Sequence, residues 1–212
     1  MFITFEGPDG SGKTTQVGQI ANTLRERGHH VLLTREPGGT AIGDQIRQIL
    51  HDMKNQAMHP RAELLLFSAS RAQIVEEVIR PHLKAGGIVI CDRFFDSTYA
   101  YQGYGHGLDL ETLRTITQFA TGGLRPDLTI LLDIAPEAGI QRRLSALAQG
   151  EEWNRLDAMA LEFHQRVRGG YHALASQEPG RWVTINADRG VAEVQADIVA
   201  AVEEKLGKRL LG

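Results

Sequence analysis

Gly7-Pro8-Asp9-Gly10-Ser11-Gly12-Lys13-Thr14 decides how this chain is read. The eight residues meet the spacing G-x-x-x-x-G-K-[S/T] at every specified position. They follow the apolar run Phe2-Ile3-Thr4-Phe5 and precede a helix-like segment that reaches residue 27. In that setting the glycines let backbone N–H groups converge on an anion at a helix N-terminus. Lys13 is placed to reach β and γ phosphates, and the Thr14 hydroxyl to ligate magnesium. The segment from Gly7 to Thr14, with Pro8, Asp9, Gly10, Ser11 and Gly12 between, is therefore the expected ATP-binding loop. The competing reading, a glycine turn that binds nothing, has motif, position and flanking pattern against it.

The strand-then-helix pattern continues along the chain. Strand-like runs fall at 2–6, 30–34, 87–91, 128–133 and 182–186. Helix-like segments lie near 13–27, 41–53, 61–84, 109–120, 136–147, 157–177 and 190–207. This alternation predicts a three-layer α/β fold of the P-loop type, a five-stranded parallel sheet with helices on both faces. No repeat, low-complexity tract or long linker divides residues 1–212, so a single domain is expected. Stretches 35–40, 103–107 and 148–155 are the least regular and read as loops. Ligands of such sheets sit at the carboxyl ends of the strands, where Gly7, Arg35 and Asp92 each follow a run.

Bulk properties remove other classes. A net charge of −3 lacks the clustered basic surface that coating a nucleic acid needs, so no nucleic-acid partner is expected. No run approaches the roughly 20 apolar residues that span a bilayer, and no targeting segment precedes the first strand, so a soluble cytoplasmic protein is expected. Cys91 is the only cysteine, which forbids an internal disulfide and suits a reducing compartment.

A phosphate loop alone does not separate kinases from GTPases, ATPases or binding modules. An Asn-Lys-x-Asp guanine signature is missing, and no apolar strand ends in Asp-Glu. The run at 87–91 ends instead in Asp92-Arg93. Asp92 is placed to hold magnesium-bound water or to orient Arg93, and a purely structural Asp–Arg pair is the alternative. Arginines recur at 35, 47, 71, 93, 142, 143 and 155, and their forks suit a site for two phosphorylated ligands. Phe67 and Arg71, four apart, share a helix face on which a ring could stack and a guanidinium donate. Thr98, Tyr101 and Gln102 share a face if helical. Spacing leaves a base-and-sugar pocket and an ordinary core or surface face both open.

These residues resemble bacterial thymidylate kinases along nearly the whole chain. The matching blocks are the phosphate loop, Thr34-Arg35-Glu36-Pro37-Gly38-Gly39-Thr40, Leu66-Phe67-Ser68-Ala69-Ser70-Arg71, Asp92-Arg93-Phe94 and Ser97-Thr98-Tyr99-Ala100-Tyr101-Gln102-Gly103. Arg125-Pro126-Asp127-Leu128-Thr129 and Asn154-Arg155-Leu156-Asp157 complete the order. The resemblance implies transfer of the γ-phosphoryl group of ATP, with Mg²⁺, to dTMP. It implies that Asp9 accepts from the dTMP 3′-hydroxyl and that Phe67 stacks on thymine. Arg71, Thr98 and Gln102 would bond the base edge, and Tyr101 would crowd the 2′ position. Arg35, Arg47 and Arg93 would clamp the acceptor phosphate region, and Asp9 would also help place the magnesium. It further implies a homodimer built on the Phe67 helix and a mobile lid at about 142–156. The family's bacterial type carries its transition-state arginine in the lid, yet 144–152 holds none. Arg142, Arg143 and Arg155 flank it as candidates. The remaining readings are another nucleoside or nucleoside monophosphate kinase, and a catalytically silent nucleotide-binding module.

Overall fold

The computed structural model describes residues 1–150 and 153–210. Five strands, β1 (Phe2–Glu6), β2 (Val31–Arg35), β3 (Ile88–Asp92), β4 (Leu128–Asp133) and β5 (Trp182–Asn186), form one parallel sheet. Their order is β2-β3-β1-β4-β5, so β1 is central and the phosphate loop leaves the middle of the sheet. Period-two alternation splits each strand between two cores. Ile3, Phe5, Ile90 and Ile130 pack with Ile20, Leu24, Ile198 and Val202 of α1 (Lys13–Glu26) and α9 (Val191–Leu210). On the opposite face, Phe2, Val89 and Cys91 pack with Ile74, Val75 and Phe94. The expected three layers are therefore present. Arg35 and Asp92 prove to be the last residues of β2 and β3 rather than the residues after them.

The other helices are α2 (Ala41–His51), α3 (Pro60–Ile74), α4 (Arg80–Lys84), α5 (Phe95–Thr98), α6 (Leu110–Thr121), α7 (Pro136–Leu147) and α8 (Leu161–Gln177). Three expectations need correction. The single helix over 61–84 is interrupted by a widened π turn at Val75–Ile79. Pro81 stands just beyond it and has no N–H to return to the preceding turn, a common cause of such a defect. The loop expected at 103–107 is largely helical, because α5 runs into a π-helical stretch, Tyr99–Gly105. Gly105 is used there for close packing: a Cβ on it would lie 2.6 Å from the Phe163 ring on α8. Finally, α8 starts at Leu161 rather than 157. The Asn154 side chain accepts from the N–H groups of Leu156 and Asp157, and this local turn competes with a helix start.

The lid expected at about 142–156 begins inside α7 and includes Glu151 and Glu152, which lie outside the described residues.

Candidate active site

A cleft of about 1070 Å³ opens along the carboxyl ends of β1, β2 and β3. The phosphate loop floors one end. Gly10 takes a left-handed φ of 78° and lies so close to α7 that a Cβ would fall 2.1 Å from the Gly139 carbonyl oxygen. Only glycine fits there, and the contact fixes the loop against α7. No side chain caps the first turn of α1; Gly12, also left-handed, occupies the N-cap. Lys13 Nζ donates to the carbonyls of Gly7 (3.0 Å) and Pro8 (2.9 Å) and to Ser11 Oγ (3.2 Å). Burial, with Arg93 nearby, lowers its pKa to about 8, so Lys13 remains mainly cationic at neutral pH.

Thr14 Oγ1 donates to Asp92 Oδ2 at 3.0 Å across the floor. Both line the cleft, and both are hard oxygen groups suited to magnesium. No cluster of three or more His, Cys, Asp or Glu that could cage a metal occurs among the described residues. A pair of protein oxygens plus substrate phosphates and water is the usual magnesium arrangement, so the donor set fits.

Arg93 sits between the two ends of the cleft, with its backbone at φ 70°, the only non-glycine residue at positive φ among the described residues. Its Nη2 donates to Asp9 Oδ1 (2.7 Å) and Tyr101 Oη (3.1 Å). Its Nη1 donates to Ser97 Oγ (3.1 Å) and Tyr171 Oη (3.0 Å). Tyr101 Oη in turn donates to Asp9 Oδ2 at 2.7 Å. Burial pushes the Asp9 pKa up, but the charges of Arg93 and Lys13 and the Tyr101 hydrogen bond outweigh it and hold Asp9 well below the carboxylate range. Beneath this group Glu6, fully buried, accepts from the Phe94 N–H, Ser97 and Tyr171. Burial and the neighbouring Asp96 raise its pKa to about 7.

At the other end two helices face each other. Glu63, Phe67 and Arg71 recur at i, i+4 and i+8 on α3; Thr98 and Gln102 recur four apart on the α5 extension. Arg71 Nη1 donates to Thr98 Oγ1 (3.0 Å), and its Nε to Glu36 Oε2 (2.8 Å). Burial raises the Glu36 pKa to about 7 despite the guanidinium beside it. Phe67, Arg71, Thr98, Tyr101 and Gln102 all line the cleft, as do Arg35 and Arg47 near its mouth. Arg47 donates to the Pro37 carbonyl at 3.1 Å, and Arg35 stands 3.5 Å from Asp44.

The three arginines at 142, 143 and 155 part company. Arg143 lines the cleft and grips Asp157 with two bonds, Nε–Oδ1 3.1 Å and Nη2–Oδ2 2.9 Å. Arg142 also lines it but reaches outward to the Ala187 carbonyl and Asp188. Arg155 does not line the cleft: it is buried against Glu63 and the Leu50 carbonyl. Gly7, Pro8 and Ser11 likewise lie behind the cleft surface, with Pro8 and Gly7 serving through their carbonyls.

Sequence reading passed over Glu6, Glu36 and Glu63. A signal existed for two of them. Glu6 closes an otherwise apolar strand, and Glu63 precedes Phe67 by one helical turn on the same face.

Comparison with known proteins points to one family. The family model described as thymidylate kinase matches residues 5–198. The chain is 54% identical to a thymidylate kinase of Roseiflexus castenholzii, with 97% of this chain and 94% of the relative covered. It is 49% identical to one of Desulfovibrio desulfuricans, over 99% of this chain and 98% of the relative. The crystal structure of thymidylate kinase from Ehrlichia chaffeensis superposes with a TM-score of 0.77 at 36% identity, covering 95% of this chain and 98% of that one.

Proposed function

The chain belongs to the thymidylate kinase family, and we propose that it moves the γ-phosphoryl group of ATP to dTMP within this one cleft. The observation that carries the reading is the continuity of the cleft. A phosphate loop at one end and an aromatic, polar pocket at the other meet at Asp9 and Arg93. Its size is consistent with two ligands, being at the upper limit of a single-ligand pocket, about 1,000 Å³.

Backbone N–H groups of Gly10 to Thr14 and the Lys13 ammonium cradle the ATP phosphates. Phe67 stacks on thymine while Arg71, Thr98 and Gln102 bond its edge. Arg93, with Arg35 and Arg47, holds the acceptor phosphate in line with the γ-phosphorus. Asp9 accepts from the sugar 3′-hydroxyl, and Tyr101 fills the space a 2′-hydroxyl would need. A phosphate monoester is already anionic at neutral pH, so the acceptor oxygen needs no strong base. Catalysis then rests on positioning and charge neutralisation, with Arg142 and Arg143 on the ATP side. Thr14 and Asp92 would hold Mg²⁺, which would supply positive charge to offset that of the ATP phosphates. The segment at about 142–156 acts as a lid that excludes water as a competing acceptor. A homodimer through the α3 side and a cytoplasmic location complete the reading. The family resemblance supports both, and no described helix is long and apolar enough to cross a membrane.

ADP release from Mg·ATP with dTMP, dUMP, UMP, dCMP, AMP, GMP and thymidine tests the substrate. Fast turnover with dTMP is expected. For dUMP, which lacks only the methyl, kcat/KM should be about 10–200-fold lower. Preference for another monophosphate, or for thymidine itself, sinks the pocket assignment.

The metal assignment has its own test. Asp92→Asn keeps shape and removes charge beside Thr14. The magnesium concentration giving half-maximal rate is expected to rise roughly 10–100-fold, as for loss of an outer-shell carboxylate. An unchanged magnesium titration removes Asp92 from the metal site.

A further inference from the structure

Glu63 is 1% exposed, and three polar side chains converge on its carboxylate, two from the stretch that carries Gln102 and His106 and one from Arg155. Gln102 Nε2 donates to Oε1 at 2.6 Å. Arg155 Nη2 bonds Oε2, and His106 Nε2 stands 3.3 Å from Oε1. Burial alone would raise the pKa of Glu63, but His106, the Arg155 charge and the Gln102 amide together hold it below its ordinary value. An ionised carboxylate can only accept hydrogen bonds. It therefore fixes which end of the Gln102 amide faces it: the nitrogen. Gln102 is itself 1% exposed and lines the cleft one turn from Thr98, on the wall opposite Phe67.

We propose that Glu63 is a specificity-determining positioning residue: by holding Gln102 Nε2 it leaves the amide oxygen to the base edge, so the pocket selects a pyrimidine with a ring N3–H. The inference rests on the reading of this end of the cleft as the base pocket. Thymine and uracil carry that N–H and satisfy the oxygen. Cytosine presents a bare N3 lone pair, which sets acceptor against acceptor and leaves both desolvated and unpaired. Arg71 rejects cytosine separately, since a guanidinium cannot accept from the exocyclic amino group. Selection against cytosine is thus divided between two residues, and only one share depends on Glu63. The thymine methyl is not read by an amide, so Glu63 has no part in telling dTMP from dUMP.

The test is Glu63→Gln, which keeps volume but presents either an oxygen or an NH₂ to Gln102 and so lets that amide turn over. The ratio of kcat/KM for dTMP to that for dCMP is expected to fall at least about tenfold, while the dTMP to dUMP ratio is retained. An unchanged dCMP ratio overturns the proposal. So does a parallel fall of both ratios, which would mean a loosened pocket. Should Glu63→Gln not fold, the unaltered protein still answers through ¹⁵N-edited NMR of the Gln102 side-chain amide. One proton shifted downfield and slow to exchange is expected, and two freely exchanging protons refute the hold. If the unaltered enzyme fails to phosphorylate dTMP at all, it is the substrate assignment that falls, and the NMR result stands apart from it.

Discussion

Exchanging Arg93 for alanine lowers kcat/KM for dTMP on the order of 10³-fold, the lower range for an arginine that neutralises a transferring phosphoryl group. The guanidinium touches Asp9, Ser97, Tyr101 and Tyr171 at once, and lysine cannot reproduce that fork, so Arg93→Lys recovers little of the loss. Stability must be separated from chemistry here, and the backbone provides the means. At φ 70° a side chain of L configuration costs roughly 1–2 kcal/mol that glycine does not. Arg93→Gly should therefore be more stable than Arg93→Ala by about 1 kcal/mol, yet equally inactive. Denaturant titration and steady-state rates on the pair check both halves. A glycine variant that regains activity with stability would mean that Arg93 acts only on the fold. The pH dependence adds a sign. The depressed pKa of Asp9 contributes stability above its unfolded value near 3.8, lost as pH falls below that value. Without Arg93 that acid-side loss should shrink, because the charge chiefly responsible for the depression is gone.

That Arg93 is strained could not be seen in the sequence, whereas its place after an apolar strand could. The same division runs through the molecule. Strand and helix periods and the Gly-x-x-x-x-Gly-Lys-Thr spacing are local properties, so the parallel sheet and the phosphate loop were legible. The π turns at 75–79 and 99–105 were not, since no residue period announces them. Gly103 and Gly105 look like loop formers in sequence, but in the fold they bring the helix against α6 and α8. The partners of the buried carboxylates were hidden for another reason, even where position hinted at Glu6 and Glu63. Glu6, Glu36 and Glu63 become intelligible only through partners 91, 35 and 39 residues away: Ser97, Arg71 and Gln102. Phe67 and Arg71 were identifiable as one helical face, whereas spacing alone did not show that Thr98 and Gln102 line the same cleft with them.

Arg142, Arg143 and Arg155 show most clearly what tertiary contacts add, and they carry the other large expected effect. Arg142, Arg143 and Arg155 are equivalent in sequence, each one charge beside an arginine-free stretch. In the fold Arg142 is tied to residues 187–188, on the outer side, and Arg155 is committed to Glu63. Arg143 alone both lines the cleft and borders a small hollow with Pro8 and Asp9 of the phosphate loop. Its grip on Asp157, itself nearly fully buried, sets the direction of its fork. Arg143→Ala is accordingly expected to lower kcat about 10³-fold or more while KM for dTMP changes little, since the lost interaction belongs to the transition state. Arg155→Ala should act on the fold instead. It strands Glu63 in a buried position, at a cost of about 3–5 kcal/mol, and leaves the folded enzyme with most of its kcat. Single-turnover rates beside denaturant titrations distinguish the two cases. If Arg155→Ala abolishes kcat at unchanged stability while Arg143→Ala retains it, the lid must exchange its arginines on closing, and the assignment made from this geometry is wrong.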